Sequence, residues 1–308
     1  MEKTNLYEIV TNKFIEALKG GRIPWQKPWT GSSSAARRFG SNTAYSILNQ
    51  MLIECQACTR YEGEDAETKI EQICTGRFLT FQAVQDSGAK INKGAKSYMV
   101  TFFKFFQPKD KDGNLMTTKN SKGEDVPYLI PMLRYYNVFS EHDCTGVPEE
   151  KQAVHILNPI EEADKTISEY EEREKIKIQF KASDKACYCP SKDYIILPKM
   201  EQFRIVEEFY STAFHEITHS TGHARRLNRL SDSGVAAFGG EDYSREELVA
   251  EMGSAMCLNR LGIDCAKAFR NSVAYVQGWL TRLQNDDKAI FWASSRAEAA
   301  VKYIFGDV

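Results

Sequence analysis

The pentapeptide His215-Glu216-Ile217-Thr218-His219 constrains this chain more tightly than any other stretch. Residues four apart on an α-helix lie nearly one above the other, about 6 Å along the axis. Two imidazoles at that spacing can hold one metal ion from one helical face. Glu216, beside the first His, is placed to reach an attacking water rather than the ion. The pattern fixes only three positions and chance matches are common, so its surroundings decide. From Phe203 to Thr221, Val206, Tyr210, Ala213 and Ile217 recur at helical spacing, and Phe209 and Phe214 widen the stripe. That predicts a buried amphipathic helix ending at Gly222. Two His and a Glu on such a helix need polar partners, because unpaired buried polar groups are costly.

A third ligand must come from elsewhere. In the pattern H-E-x-x-H-x-x-G-x-x-H, Gly222 fits the glycine, but the last position is Arg225 and His223 is out of register. That scheme is excluded. The other common scheme takes a carboxylate from a second helix. Tyr243 to Glu251 follows a Gly-rich loop, with Ser244 as expected N-cap and Glu247 three residues on in a capping box. The reading that follows has His215, His219 and Glu247 holding a Zn²⁺ ion, a ligand set that favours zinc. Glu251, four residues beyond Glu247, would then hold a ligand His by its other ring nitrogen. The choice between Glu247 and Glu251 as third ligand stays open. So does the plainer alternative, in which Glu247 only caps its helix and both carboxylates are solvated. Glu216 is the expected general base. His223 and Tyr243 are candidate oxyanion donors by closeness in sequence alone, and either can equally be structural.

At 308 residues the chain has room for one large domain or two ordinary ones, and 42% apolar residues suffice for a real core. The formal net charge of −2 excludes a polycation. The N-terminus has no apolar signal core and no run is long enough to span a bilayer, so no membrane role is expected. Eight Cys without a secretory signal suit reduced thiols in a cytoplasm.

Charge is uneven, however. Lys19 to Arg60 carries six Lys/Arg against one acid, Glu54. Within that stretch Arg22, Trp25, Lys27, Trp29, Arg37 and Arg38 interleave cations with aromatics, as single-stranded nucleic acid requires: charge for its backbone and flat partners for its bases. The alternative is that both Trp fold under as local core and the cations form a solvated rim. Around this segment, helices are expected over Asn5–Leu18 and from Tyr45 to Ile53, an acidic loop over Glu62–Glu71, and strands at Ser97–Phe106 and Leu133–Phe139. Pro108–Glu124 reads as a charged loop insertion. Past a boundary near Pro148, a charged helix opens at Asn158-Pro159. A strand at Ile176–Phe180 and a hairpin over Ala186–Pro198 precede the motif helix, and the hairpin's edge is a candidate for pairing with an extended peptide. Amphipathic helices at 272–283 and 289–305 close the chain. The uneven alternation makes the class α+β, in two domains.

These residues carry a family resemblance. Pro24-Trp25-x-x-Pro28-Trp29, Tyr45-x-x-x-Asn49, Leu79-Thr80-Phe81-x-Ala83, Lys93-Gly94-x-Lys96 and Tyr136-Asn137-Val138-Phe139 match in the first half. Phe214 to His223, Glu246 to Glu251 and Tyr275-x-x-x-Trp279-Leu280 match in the second. Together, and in order over nearly the whole chain, they resemble the ArdC-type antirestriction proteins of mobile genetic elements. The resemblance implies a mixed α+β, single-stranded-DNA-binding domain over 1–148 and a zincin-like metallopeptidase domain of gluzincin type over 149–308, with a small sheet and several helices. It adds Tyr45, Asn49, Lys93 and Lys96 to the expected nucleic-acid contacts. The Glu-x-x-Ala-Glu piece is similar to the third-ligand helix of gluzincins, in favour of Glu247. It also implies single-stranded DNA and a host protein substrate as partners. Gly40-Ser41-Asn42-Thr43-Ala44 departs from the Pro and Asn that precede Tyr-x-x-x-Asn in many relatives. Two functions follow: a DNA-binding metallopeptidase, or a DNA-coating protein whose metal site is structural.

Overall fold

The computed structural model describes residues 5–24, 35–41, 43–119, 123, 125–149, 158–182, 185–230, 241–263 and 273–307. Helix α1 (Leu6–Lys19) starts where Asn5 accepts the Tyr7 N–H, a side-chain N-cap. Strand β1 (Arg37–Arg38) leads to α2 (Ile47–Cys58) and α3 (Ala66–Thr75). The last of these corrects the expected acidic loop: Ile70, Ile73 and Cys74 share one buried face at helical spacing, and the acids lie on the other. Then come β2 (Arg77–Thr80), α4 (Phe81–Asp86), β3 (Lys90–Ile91) and β4 (Tyr98–Phe106). The expected loop insertion includes a short strand, β5 (Thr117–Lys119), which pairs with β6 (Asp125–Pro127) just past its end, before β7 (Ile130–Ser140) and β8 (Cys144–Thr145). The main sheet runs β1-β2-β7-β4.

The open edge of β4 is closed by side chains rather than by a strand. Asn49 of α2 accepts the Thr101 N–H at 2.6 Å and donates to the Thr101 carbonyl at 2.7 Å. Two turns later Gln56 does the same for Met99, at 2.9 Å each way. Backbone groups at a buried sheet edge must be paired somewhere, and these two amides pair them. Asn49 is therefore buried and fully engaged, and it is not available as a nucleic-acid contact.

The second half contains α5 (Pro159–Glu174), β9 (Lys177–Lys181), β10 (Cys187–Cys189), β11 (Tyr194–Pro198), α6 (Val206–Thr221), α7 (Glu241–Leu261), α8 (Val273–Asn285) and α9 (Ala289–Phe305). Its sheet runs β10-β11-β9, with β10 and β11 antiparallel and β9 parallel to β11. The architecture is α+β in two domains, but the largest core is shared between the halves. Val10, Phe14, Leu18 and Leu52 join Phe214, Ile217, Leu248, Met252 and Ile290 in one cluster. Tyr7 meets Phe291 edge-on at 5.0 Å, and the Thr11 hydroxyl donates to the Asp287 carbonyl at 2.7 Å. No helix among the described residues is long and apolar enough to cross a membrane.

Candidate metal centre

Helix α6 forms as its pattern predicts and ends at Gly222. The glycine there answers a need for space. Its φ of −74° is ordinary, but a Cβ would meet Leu230 Cγ at 2.9 Å and Arg229 Nη2 at 3.2 Å. The chain after the helix folds back through that gap, tied by the Leu230 N–H to the Gly222 carbonyl. Helix α7 reaches α6 by a second close approach, where a Cβ on Gly253 would stand 2.5 Å from Thr218 Cγ2. One residue on, the Ser254 hydroxyl donates to the Ser211 carbonyl at 2.7 Å. This crossing carries the glutamates of α7 under the two His. The helix begins at Glu241, earlier than the expected start, so Ser244 lies inside it and does not cap it.

His215 Nε2 and His219 Nε2 lie 3.1 Å apart. Glu247 completes a triangle, with Oε2 at 3.5 Å from His215 Nε2 and Oε1 at 3.4 Å from His219 Nε2. Donors bound at about 2.0–2.1 Å around a tetrahedral ion sit about 3.3 Å from one another. The spacing fits such an ion, and these three residues form the one metal-competent group of His, Cys, Asp and Glu found among the described residues.

Behind the triangle each His has its own carboxylate. His215 Nδ1 faces Glu251 Oε1 at 3.7 Å and His219 Nδ1 faces Glu246 Oε1 at 3.6 Å. Glu246 is in turn bound by the buried Arg229 at 2.7 Å, and Arg229 also donates to the Thr218 carbonyl and the Thr221 hydroxyl. Glu251 stands where sequence reading expects it. Glu246 and Arg229 were not anticipated; the signal for Glu246 was its place one residue before Glu247, which turns it toward the second His. The electrostatics agree with a centre built for positive charge. Burial alone would push the His219 imidazole down, but Glu246 and Glu247 raise it to about 10. Burial would raise Glu247, yet His215 and His219 hold its carboxyl well below the usual carboxylate range. The donor set thus accepts a proton or a cation at the same place.

Glu216 lies on the same helix and points to the hairpin. Its Oε2 accepts the backbone N–H of Tyr188 in β10 at 2.7 Å. The hairpin is anchored below: Asp193 between β10 and β11 accepts from the Tyr188 hydroxyl and from the buried Arg226, which also pairs with Glu174 of α5. The edge strand expected to receive a peptide has therefore already given one outward N–H to Glu216. His223 sits past the helix end, where its Nδ1 accepts the Arg225 N–H, and it is not part of the cluster. Tyr243 falls within α7, but its side chain lies outside the described residues.

The expected nucleic-acid residues that are described stand in differing environments. Trp25, Lys27 and Trp29 lie outside the described residues. Arg22 pairs with Glu67 at 3.0 Å, while Arg38 is exposed and stands over Tyr45, which is itself buried against Phe78. Arg37 is in β1, with Nε and Nη2 buried and without hydrogen-bond partners. Lys93 and Lys96 are exposed in the turn before β4.

Two family models match this chain. Residues 4–139 match the N-terminal domain of anti-restriction factor ArdC, and residues 162–296 match a zincin-like metallopeptidase domain. Crystal structures of the antirestriction ArdC protein from plasmid R388 superpose over nearly the full length of both chains. The metal-free form gives a TM-score of 0.70 at 28% identity, covering 97% of this chain and 96% of that one. The Mn(II)-bound form gives 0.71 at 27% identity, covering 98% of each. An ArdC-type N-terminal domain thus precedes a zincin-like domain in this chain. Among ArdC-like relatives, a DNA primase TraC of Escherichia coli is 32% identical over 98% of this chain, which spans only 20% of that protein. A second TraC is 30% identical, with 27% of its length covered, and protein y4eC of Sinorhizobium fredii is 28% identical over 96% of this chain and 90% of its own. The ArdC fold and its manganese-bound relative agree with a divalent metal at the His215, His219, Glu247 triangle.

Proposed function

We propose that this chain is a DNA-binding antirestriction protein of mobile elements that works in the cytoplasm and carries a zinc-dependent peptidase site directed at a host protein. The observation that carries the peptidase reading is the triangle of His215, His219 and Glu247 with Glu216 one residue from the first ligand. A cation held there by His215, His219 and Glu247 would supply Lewis acidity and make a neighbouring water more acidic. The chain's own residues do the rest. Glu251 and Glu246 orient the two imidazoles through their other nitrogens. Arg229 fixes Glu246. Glu216 has one carboxylate oxygen held by Tyr188 N–H. Its other oxygen takes the proton from the attacking water and passes it to the leaving amine. The DNA-binding half of the proposal is supported by the match of residues 4–139 to the ArdC N-terminal domain.

The deciding experiment uses Glu216→Gln in the full chain loaded with zinc. Metal content measured by mass spectrometry should stay stoichiometric, while cleavage of host proteins and protection of incoming DNA should fall together. If protection persists unchanged in the variant, the peptidase is not the source of protection and the chain acts by coating single strands. A wild-type chain that binds no divalent metal at stoichiometry refutes the metal site itself.

A further inference from the structure

Strand β4 pairs along its whole length with Ile130–Val138 of β7, and residues directly opposite share a face of the sheet. One face carries Met99 with Asn137, Thr101 with Tyr135 and Phe103 with Leu133. Its Phe103–Leu133 end packs on the large core, where Phe103 meets Phe291 at 6.2 Å. The other face begins buried, with Tyr98, Val100 and Val138 in the second core. Past that point it opens to solvent. Tyr136 stands opposite Val100, Phe102 opposite Arg134, Lys104 opposite Met132, and Phe106 opposite Ile130. Phe102 is 41% exposed, Tyr136 49% and Phe106 51%.

Three features set this face apart. The opposite face holds Phe103 and Leu133 against the large core, and its exposed ring, Tyr135, has no cation beside it on that face. Contiguous exposed aromatics on a folded chain mark a binding surface. The rings also alternate with cations, Phe102-Lys104-Phe106 along β4 and Arg134-Tyr136 along β7, so ring and cation follow one another about 6.8 Å apart. Lastly, neither Lys104 nor Arg134 has an ion-pair partner among the described residues, and no acid occupies the open part of the face. A protein partner would favour an interface core depleted of Lys. A duplex keeps its bases stacked inside and offers these rings nothing flat to meet. Unstacked bases beside phosphates supply both a partner for the rings and one for the cations.

We propose that the open face of β4 and β7, formed by Phe102, Lys104, Phe106, Arg134 and Tyr136, is the platform on which this chain binds single-stranded DNA. The proposal rests on the DNA-binding reading above and assigns its main contacts to residues other than the Trp-containing segment. Bases stack on Phe102, Phe106 and Tyr136, and Lys104 and Arg134 meet the backbone between them.

The test is fluorescence anisotropy of the full chain with a labelled oligothymidylate, titrated with salt, beside the same length of duplex. Tyr136→Ala should weaken single-strand binding by about tenfold and the Phe102→Ala/Tyr136→Ala pair by more, each ring stacking one base. Tyr136→Phe should bind as the wild type does. Arg134→Ala should lower affinity and reduce the salt slope by about one. All are surface changes, and an unchanged thermal midpoint shows that they fold. If the unaltered chain binds no oligonucleotide, the DNA-binding reading and this proposal both fall. If it binds and the ring variants bind equally well, only the placement falls. Equal losses on duplex, or a Tyr136→Phe loss as large as that of Tyr136→Ala, overturn the stacking of single strands.

Discussion

His215 and His219 meet because a helix turns every 3.6 residues, whereas Phe102 and Arg134 meet because two strands pair in one particular register. The metal centre is local chemistry finished by one helix crossing. The open sheet face is assembled from side chains that share no sequence pattern until the pairing is known. The two also differ in what surrounds them. The centre is layered, ligand upon carboxylate upon Arg229. The sheet face leaves its cations unanswered. A layered site holds a small ion in a fixed geometry, while an open one suits a long, variable polymer.

The sharpest way to break this contrast is Glu246→Gln. Removing the charge leaves Arg229 buried without its partner, a loss of about 3–5 kcal/mol of stability. Metal affinity should fall about 10–100-fold because His219 loses its support. Denaturant melts and competition with a chelator measure the two; an intact metal affinity would show that the outer layer does not tune the centre. Asn49→Ala is the matching test in the other half. It strips partners from the Thr101 N–H and carbonyl, so stability should drop by about 1–3 kcal/mol per orphaned group. At temperatures where the variant is folded, affinity for single strands should not change, and a large loss would return Asn49 to the nucleic-acid surface. The smallest effect concerns Asp193. Burial opposes its charge, but Arg226, Tyr188 and Arg225 hold its carboxyl at about 2, below its unfolded value of 3.8. Its contribution is present above pH 4 and is lost as the pH falls through 2. Asp193→Asn should therefore flatten the acid limb of the stability curve, and an unaltered limb would mean that the hairpin anchor carries no pH dependence.

How legible each part is in the sequence follows from the same difference. The motif helix, its stop at Gly222, the second carboxylate helix and the place of Glu251 all come from spacing within a few turns. Glu246 escaped because its neighbour Glu247 already filled the expected role, and Arg229 because a long side chain reaching back through a turn leaves no periodic trace. In the N-terminal half, helix α3 was hidden by its charges, and Asn49 suggested a ligand contact when it was repairing a sheet edge. A buried amide and an exposed one are the same letter, and only the partner strand tells them apart. Arg22 and Tyr45 are likewise occupied by Glu67 and by the core.

The shared core has a consequence for how such a chain can be divided. Phe14, Leu18 and Leu52 lie with Phe214, Leu248 and Ile290 in one cluster, so a cut between the family-matched segments 4–139 and 162–296 would lay bare apolar surface on both pieces. Each matched segment depends on the other to cover that surface. In the TraC relatives the counterpart of this chain is present over 98% of its length, within a protein that it spans by only a fifth or a quarter. The two matched segments keep that core closed only while they stay joined.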